Sequence, residues 1–346
     1  MNALVNLETR SVSSLFRYLE MLCCQKAPKS GRALLGSRWS FANLNPVQRK
    51  ELTEYSLPGG GMLYSQVLAN RTGVCLQKHQ ENPDSLERFL ARGGAAIVPV
   101  NSYYLPYRPA YGRVHSHRTL LVTPSPQQDQ VWVQDLWPPG YMGPLAKAVL
   151  SEARLGEVPL DRHREPVFAG GTLDGSWFSL RLDPVQVKDP RLWAMLILKD
   201  ILDEATNLGG YESEACGLNS FTHFIKGLEQ HFQSRGDERW LRLREDCLLL
   251  RAELSSRVYF VSFLRAAAGW LQESDLKTCA RNYSRHLNYW EMARDVLIKT
   301  MVHPNPNYDH FILQNLALAW DREQDLLRNL LALTSPTKKT HTAHYA

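Results

Sequence analysis

One hydrophobic periodicity dominates the second half of the chain. In GLNSFTHFIKGLEQHFQ, one stripe holds apolar residues that recur every three or four positions: Leu218, Phe221, Phe224, Ile225 and Leu228. This spacing places side chains on one face of an α-helix. Five or six such segments follow one another from about residue 190. The pattern predicts an all-helical domain over residues 190–334.

The first half mixes helical and strand patterns. VSSLFRYLEML and SLERFLARG have helical spacing, and MGPLAKAVLSEARLG has the pattern of a short helix that ends at Gly156. AAIVPV is typical of a buried strand. We therefore expect an α+β domain over residues 1–165, a linker or loops over residues 166–189, and a disordered polar tail over residues 335–346.

Composition excludes several classes of function. The 346-residue chain has a net charge of only +5 and no basic stripe interleaved with aromatic residues, so we expect no nucleic-acid binding. It has no apolar run near 18 residues and no secretory signal, so we expect no membrane span. The six cysteines form no CxxC pair or disulfide framework, which indicates reduced thiols in the cytoplasm. No metal-ligand or phosphate-binding motif predicts a metal or a bound cofactor.

A candidate catalytic pair lies in the stretch SYYLPYRPAYGRVHSHRTLLVTPSPQQDQVWVQDLWPPG. One apolar run follows His117, a second ends at Asp135, and turn-forming residues separate them. A hairpin centred near Pro126 places the histidine opposite the aspartate, with Cβ atoms roughly 5 Å apart on one face. The carboxylate would then orient the imidazole for work as a general base. A structural His–Asp pair is the alternative, and a one-residue slip in register would remove the contact.

Three stretches carry a resemblance to a known family. They are NLETRSV with the helix behind it and ALLGSRWSF, then GGAAIVPVNSYYLPY, and then HSHRTLLV with VWVQDLWPPG. In this order they resemble the butirosin biosynthesis protein H family, and CGLNSFTHFIKGL and RVYFVSFLRAAAGW are similar to its second domain. The resemblance covers nearly the whole chain. It implies a papain-like (cysteine-protease-like) domain followed by an all-helical domain.

The resemblance also implies a function and partners. Members of the family take an acyl group from a carrier-protein thioester and pass it to an amine during the assembly of specialised metabolites. The expected partners are an acyl or peptidyl carrier protein, which brings the substrate on its phosphopantetheine arm, and a small-molecule substrate. A homodimer is compatible with this interpretation.

The chain departs from the family at the nucleophile. The match places Leu7 where the family has a cysteine at the amino end of the first helix, and Asn101 where it has an aspartate. A leucine side chain cannot form a thioester. Cys23 and Cys24 lie roughly 24 Å further along the helix. Thr9, Ser11, Ser13 and Ser14 are nearer but are weak candidates, because a helix points them in different directions.

Three interpretations of this departure remain open. The first is an enzyme that cyclises or transfers a carrier-bound acyl or peptidyl group, with His117 and Asp135 as general base and no cysteine nucleophile. The second is an inactive papain-like homologue that serves as a carrier-protein docking module, and the third is an engineered Leu7. We favour the enzyme, because both His117 and Asp135 are retained.

Further candidates surround this pair. Glu8 follows Leu7 at a helix start, where a carboxylate is either a favourable neighbour of the helix dipole or a second acid or base. Three tyrosines before the hairpin are candidates to line the acyl or amine site: Tyr103, Tyr104 and Tyr107. His115 is the rival base, because it lies two residues from His117 and on the same side of a strand.

Overall fold

The computed structural model describes residues 12–39, 62–80, 83–182, 189–206 and 218–334. The fold is α+β, with an antiparallel sheet in the first half and helices in the second. The strands are β1 Val74–His79, β2 Ala96–Asn101, β3 His117–Pro124, β4 Gln130–Asp135, β5 Tyr141–Ala146, β6 Leu155–Glu157, β7 Thr172–Asp174 and β8 Trp177–Leu182. No helix in the described part of the chain is long and apolar enough to cross a membrane.

Ten described helices accompany these strands. In the first half they are α1 Ser14–Lys26, α2 Gly31–Leu35, α3 Met62–Thr72, α4 Pro83–Ala91 and α5 Lys147–Ala153. In the second half they are α6 Pro190–Thr206, α7 Leu218–Gln233, α8 Gly236–Leu271, α9 Ser274–Val302 and α10 Pro306–Thr334. The prediction of a helical second half is thus confirmed for the described residues.

The main sheet has six strands in the order β1-β8-β2-β3-β4-β5, and every neighbouring pair is antiparallel. The pair β6–β7 forms a separate small sheet. The sequence predicts linker or loops over residues 166–189, but β7 and β8 lie within that range. This part of the prediction is wrong. The strand β8 is stabilised by pairing with β1 and β2, which are far from it in sequence, so its own residues give little indication of a strand.

Each face of the main sheet has its own core. Ile97 and Leu121 join the cluster that includes α1 and the carboxy-terminal helices. Val98, Leu120 and Val122 instead join residues of α4 and α5 on the opposite face. Side chains alternate between the two faces of a strand, so neighbours in β2 and β3 enter different cores. Buried residues of both halves share the first cluster, while the boundary between two folding units stays a prediction.

Helix α1 packs on the face of the sheet that carries Leu121. Ser13 caps its amino end, with the Oγ atom 3.5 Å from the backbone nitrogen of Phe16. The Tyr18 hydroxyl lies 3.0 Å from the carbonyl oxygens of Thr119 and Gln134 and accepts from the Leu136 backbone N–H at 3.1 Å. These contacts tie the first helix to both strands of the β3–β4 hairpin.

Helix α8 is one continuous element of 36 residues, although Ser255 and Ser256 lie in its interior. The Ser255 hydroxyl donates to the Arg251 carbonyl, one turn back along the same helix, at 2.9 Å. A serine satisfied in this way does not interrupt a helix. The helix also carries a buried ionic cluster in which the Arg257 guanidinium contacts Glu253 at 2.9 Å and Glu323 of α10 at 2.6 Å.

Candidate functional site

His117 is the first residue of β3, and only 1% of its surface is exposed. Its backbone N–H donates to the Phe168 carbonyl at 2.8 Å, and its Nε2 atom lies 3.0 Å from the Gly170 carbonyl oxygen. A carbonyl oxygen only accepts hydrogen bonds, so Nε2 carries the proton and Nδ1 carries the lone pair. Burial lowers the pKa of His117 to about 4, with further lowering by the Arg244 and Arg118 cations. The imidazole is therefore neutral at pH 7.

Two glycines bring the backbone close to this imidazole. Gly170 and Gly171 have φ angles of 85° and 111°, in the region that residues with a side chain rarely adopt. A Cβ atom at Gly171 would lie 3.2 Å from His117 Nε2. Glycine at this position therefore allows the loop to cover the ring.

Arginines and aromatic rings form the surroundings of His117. The Arg118 guanidinium lies over the rings of Trp137 and Phe168 at 4.6 and 5.1 Å, and Arg251 lies over the same rings at 5.2 and 5.0 Å. Such stacking of a guanidinium on an aromatic face is favourable. The environment of the histidine is thus cationic and partly aromatic.

Further hydrogen bonds fix the arginines beside His117. Arg118 donates to Glu165 Oε2 at 3.0 Å, and the Ser116 hydroxyl donates to the same oxygen at 3.0 Å. Arg244 of α8 donates to the carbonyls of Val167 and Gly170 at 3.0 and 3.3 Å. The Gly170 carbonyl consequently accepts from an arginine and from the histidine.

Asp135 lies in a different polar centre. Its Oδ2 atom accepts from Arg108 Nε at 2.8 Å and from the Tyr107 hydroxyl at 3.2 Å, and Arg108 Nη2 forms a second contact with it. Its Oδ1 atom accepts from the Trp137 backbone N–H at 3.0 Å. Both Asp135 and Arg108 are buried. Burial, reinforced by the Asp135 charge, raises the pKa of Tyr107, so this hydroxyl stays protonated.

The predicted pairing of His117 with Asp135 is wrong. Both residues are described, and no hydrogen bond joins them. In the observed register Leu121 pairs with Gln134 and Val122 pairs with Val133. This register is displaced by three residues from the predicted one. A displacement by an odd number of residues moves a side chain to the other face. His117 therefore shares a face with Leu121, and Asp135 shares the opposite face with Val133.

His115 belongs to a third cluster, at the end of β2. Its Nδ1 atom lies 2.9 Å from Asn101 Nδ2. Its ring stacks on Tyr103 with centroids 4.0 Å apart and an angle of 2° between the planes, and Tyr104 meets it edge-on at 6.4 Å. Three of the predicted ligand-binding residues, Tyr103, Tyr104 and His115, thus lie together near Asn101. Asn101 pairs with His117 across β2 and β3, so these two side chains lie on the same face of the sheet. Burial lowers the pKa of His115.

The fourth predicted ligand-binding residue of this stretch lies elsewhere. The Tyr107 ring stacks on Tyr141 at 3.9 Å, and its hydroxyl belongs to the Asp135 centre. Leu7 and Glu8 lie outside the described residues, as do the tail over residues 335–346 and the position of Cys216. Their predicted roles stay predictions.

The structure also contains a His–Asp pair that the sequence does not predict. His231 Nδ1 lies 2.7 Å from Asp246 Oδ2, and the Asp246 side chain is fully buried. The histidine belongs to α7 and the aspartate to α8, so the pair joins two helices. Helical periodicity predicts both helices, but it does not predict which polar residues of neighbouring helices meet.

Several residues of the site were absent from the sequence-based prediction. They are Arg108, Arg118 and Arg244. Asn101, which was named from the sequence only as a departure from the family pattern, bonds to His115 from the end of β2. The glycine pair at residues 170–171 was the one available signal, since adjacent glycines indicate backbone conformations that other residues avoid. This pair was included only in the predicted linker or loops over residues 166–189, so its contact with His117 was not predicted.

Comparisons with known proteins leave the family open: no family model matches the chain, and no curated protein matches it either. Within the described residues, no group of three or more histidine, cysteine, aspartate or glutamate side chains could hold a metal ion. The functional interpretation consequently depends on the site geometry and on the resemblance given above.

Proposed function

We propose that this chain is a papain-like homologue that binds an acyl or peptidyl thioester carried by the phosphopantetheine arm of a carrier protein, without a His–Asp catalytic base. One observation favours binding over catalysis. Asp135 lies on the sheet face opposite His117, and Arg108, Tyr107 and the Trp137 backbone occupy its carboxylate. An aspartate held in this way stabilises a buried arginine and does not orient an imidazole.

The papain-like part of the proposal is supported by the order and packing of the elements. Helix α1 precedes the sheet and packs against β3, whose first residue is His117. Strands β2 to β5 follow one another as antiparallel neighbours. Free cysteines at five described positions support a reducing compartment, and we propose the cytoplasm: Cys23, Cys24, Cys75, Cys247 and Cys279.

The enzyme interpretation is the second candidate, and one observation favours it. His117 Nε2 donates to Gly170, so the lone pair is on Nδ1 of a neutral imidazole, which is the form that a general base needs. If this histidine were the base, the rate would be independent of pH near neutrality and would fall as pH drops through about 4. A general base of this kind accelerates a reaction by about 10²–10⁴-fold.

S-acetylpantetheine serves as the probe that separates the two candidates. We expect saturable binding by calorimetry and release of free pantetheine, measured by chromatography, at no more than the rate in buffer. Tyr103→Ala should weaken binding about fivefold, because it removes an aromatic contact surface. Tyr308→Ala, on α10, is the matched control and should bind as the wild type does.

Two results would contradict the binding proposal. Absence of binding by the wild-type chain would remove the thioester as ligand. Release of pantetheine above the buffer rate that is lost in His117→Gln would establish the enzyme interpretation in its place.

A further inference from the structure

The orientation of the Asn101 side-chain amide follows from its backbone partners. Asn101 Oδ1 lies 3.1 Å from the backbone nitrogen of Tyr103 and 3.3 Å from that of Ser116. Both partners are N–H donors, so the atom that they approach must be the amide oxygen. The amide nitrogen, Nδ2, is therefore the atom that faces His115.

This orientation fixes the tautomer of His115. An amide NH₂ group only donates, so Nδ1 of His115 accepts and its proton is on Nε2. Protonation of Nδ1 would place two donors against each other. Burial further disfavours the imidazolium. His115 is thus held as a neutral imidazole with its N–H group on Nε2.

The Nε2–H group of His115 is available to a ligand. His115 is half-buried, its Nε2 atom is not fully enclosed, and no described residue bonds to it. Stacking on Tyr103 and the bond to Asn101 hold the ring at two points. A donor fixed in this way loses little conformational freedom when it binds an acceptor. The site therefore favours a ligand with a hydrogen-bond acceptor beside a planar group.

We propose that His115 Nε2–H donates a hydrogen bond to a carbonyl oxygen of the bound ligand, and that Asn101 is the positioning residue that keeps His115 in this donor form. For the identity of the ligand the inference rests on the proposed function. The acyl thioester and the amides of the pantetheine arm both carry such oxygens. Both sources offer the same acceptor, a carbonyl oxygen. A ligand that lacks the acyl carbonyl distinguishes one source from the other.

The substitution Asn101→Asp replaces the amide donor that faces His115 Nδ1 with an acceptor. A carboxylate keeps acceptors for the backbone N–H groups of Tyr103 and Ser116, so the fold should persist. It would also accept from Nδ1–H of His115, which moves the proton from Nε2 to Nδ1 and removes the donor from the ligand side. Asn70→Asp, at an exposed position of α3, adds the same charge and is the matched control.

Nitrogen-15 NMR of histidine-labelled protein measures the tautomer directly, with His115→Gln used to assign the signals. We expect Nε2–H in the wild type and in Asn70→Asp, and Nδ1–H in Asn101→Asp. S-acetylpantetheine should shift the His115 Nε2 resonance in the wild type and bind about fivefold more weakly to Asn101→Asp, the loss of one neutral hydrogen bond.

The S-ethyl thioether of pantetheine lacks the acyl carbonyl and identifies the oxygen. If it leaves the His115 Nε2 resonance unmoved, the acyl carbonyl is the acceptor; if it produces the same shift, an amide of the arm is the acceptor. An Nδ1–H tautomer in the wild type would overturn the role of Asn101 and leave the proposed function standing. The expected tautomer with calorimetric binding of S-acetylpantetheine but no shift of the His115 Nε2 resonance would overturn the ligand contact alone, whereas absence of calorimetric binding would overturn the proposed function with it.

Discussion

His117 and Asp135 stand near the same end of neighbouring strands, but their surroundings differ in kind. Asp135 is a buried carboxylate with a buried guanidinium and two further donors, so its charge is compensated where it lies. His117 is a buried neutral imidazole that donates to a backbone carbonyl beside cationic arginines. The same two residue types that make a catalytic pair when they touch serve separate purposes when the sheet separates them.

The face of the strand on which each of these two polar residues lies decides its role. Asp135 shares its face with buried valines and meets Arg108, whereas His117 shares its face with Leu121 and meets the glycine turn. Neither partner is close to its residue in sequence. Substitutions at Asp135 and at His117 should therefore change the unfolding free energy by different amounts, and each can be made without the other.

The largest effect is expected at the Asp135 centre. Asp135→Asn keeps the shape of the side chain but leaves the buried Arg108 cation without its carboxylate, which should cost about 3–5 kcal/mol of unfolding free energy. Asp174→Asn is the matched control: its ion pair with Lys78 is exposed, so its loss should cost less than about 1 kcal/mol. Urea denaturation measures both. Equal, small losses in the two variants would show that Arg108 does not depend on Asp135.

The second effect is expected at His117 and depends on pH. The folded-state pKa of about 4 is below the ordinary value of 6.5, so the unfolded chain binds a proton first as pH falls. Above pH 6.5, His117 is neutral in the folded and in the unfolded chain, so it does not make the unfolding free energy depend on pH. Between pH 6.5 and 4 it should reduce the unfolding free energy by up to about 3 kcal/mol.

The His117→Gln variant should not show this fall in unfolding free energy between pH 6.5 and 4. The control variant His163→Gln, at an exposed position, should show it as the wild type does. Unfolding free energies of the three proteins at pH 7 and pH 4 provide the measurement. If the wild type and His117→Gln lose the same stability between these pH values, His117 is not held neutral in the folded protein.

A smaller effect is expected at the turn that covers His117. Gly171→Ala introduces a Cβ atom 3.2 Å from His117 Nε2 at a φ angle of 111°, which should cost about 2 kcal/mol. Gly112→Ala also has a positive φ angle, 63°, but meets no atom within 4 Å, and should cost about 1 kcal/mol. Thermal unfolding compares the two. A cost at Gly171 no greater than that at Gly112 would mean that the turn does not press on the imidazole.

Periodicity was sufficient to predict the elements whose stability is local. The helical spacing of Ser14–Lys26 and of the carboxy-terminal helices follows directly from the positions of apolar residues. Strand β8 was missed because the glycines around it favour loops, while the partners that make it a strand are β1 and β2, far away in sequence. Non-local pairing of this kind leaves little trace in a short segment.

The register of the hairpin was wrong for a related reason. RTLLVT is buried on both faces of the sheet, so alternation of apolar and polar residues does not set its register. In β4, Val131 and Val133 are buried on the Asp135 face, which would have placed the aspartate with the α4–α5 core. The observed turn is centred between residues 127 and 128, where Gln130 N–H donates to the Gln127 carbonyl at 3.2 Å. The prediction that the turn is centred near Pro126 is therefore wrong.

Nitrogen-15 NMR of His117 decides whether Gly170 or Asp135 is the hydrogen-bond partner of its imidazole. If Gly170 is the partner, the wild-type imidazole carries its proton on Nε2, and the same tautomer persists in Asp135→Asn wherever that variant remains folded. If Asp135 orients the ring, the wild type carries the proton on Nδ1, and the substitution changes the signal. We predict Nε2–H in the wild type; Nδ1–H there would show that Gly170 is not the partner of the imidazole, whatever the stability of the variant.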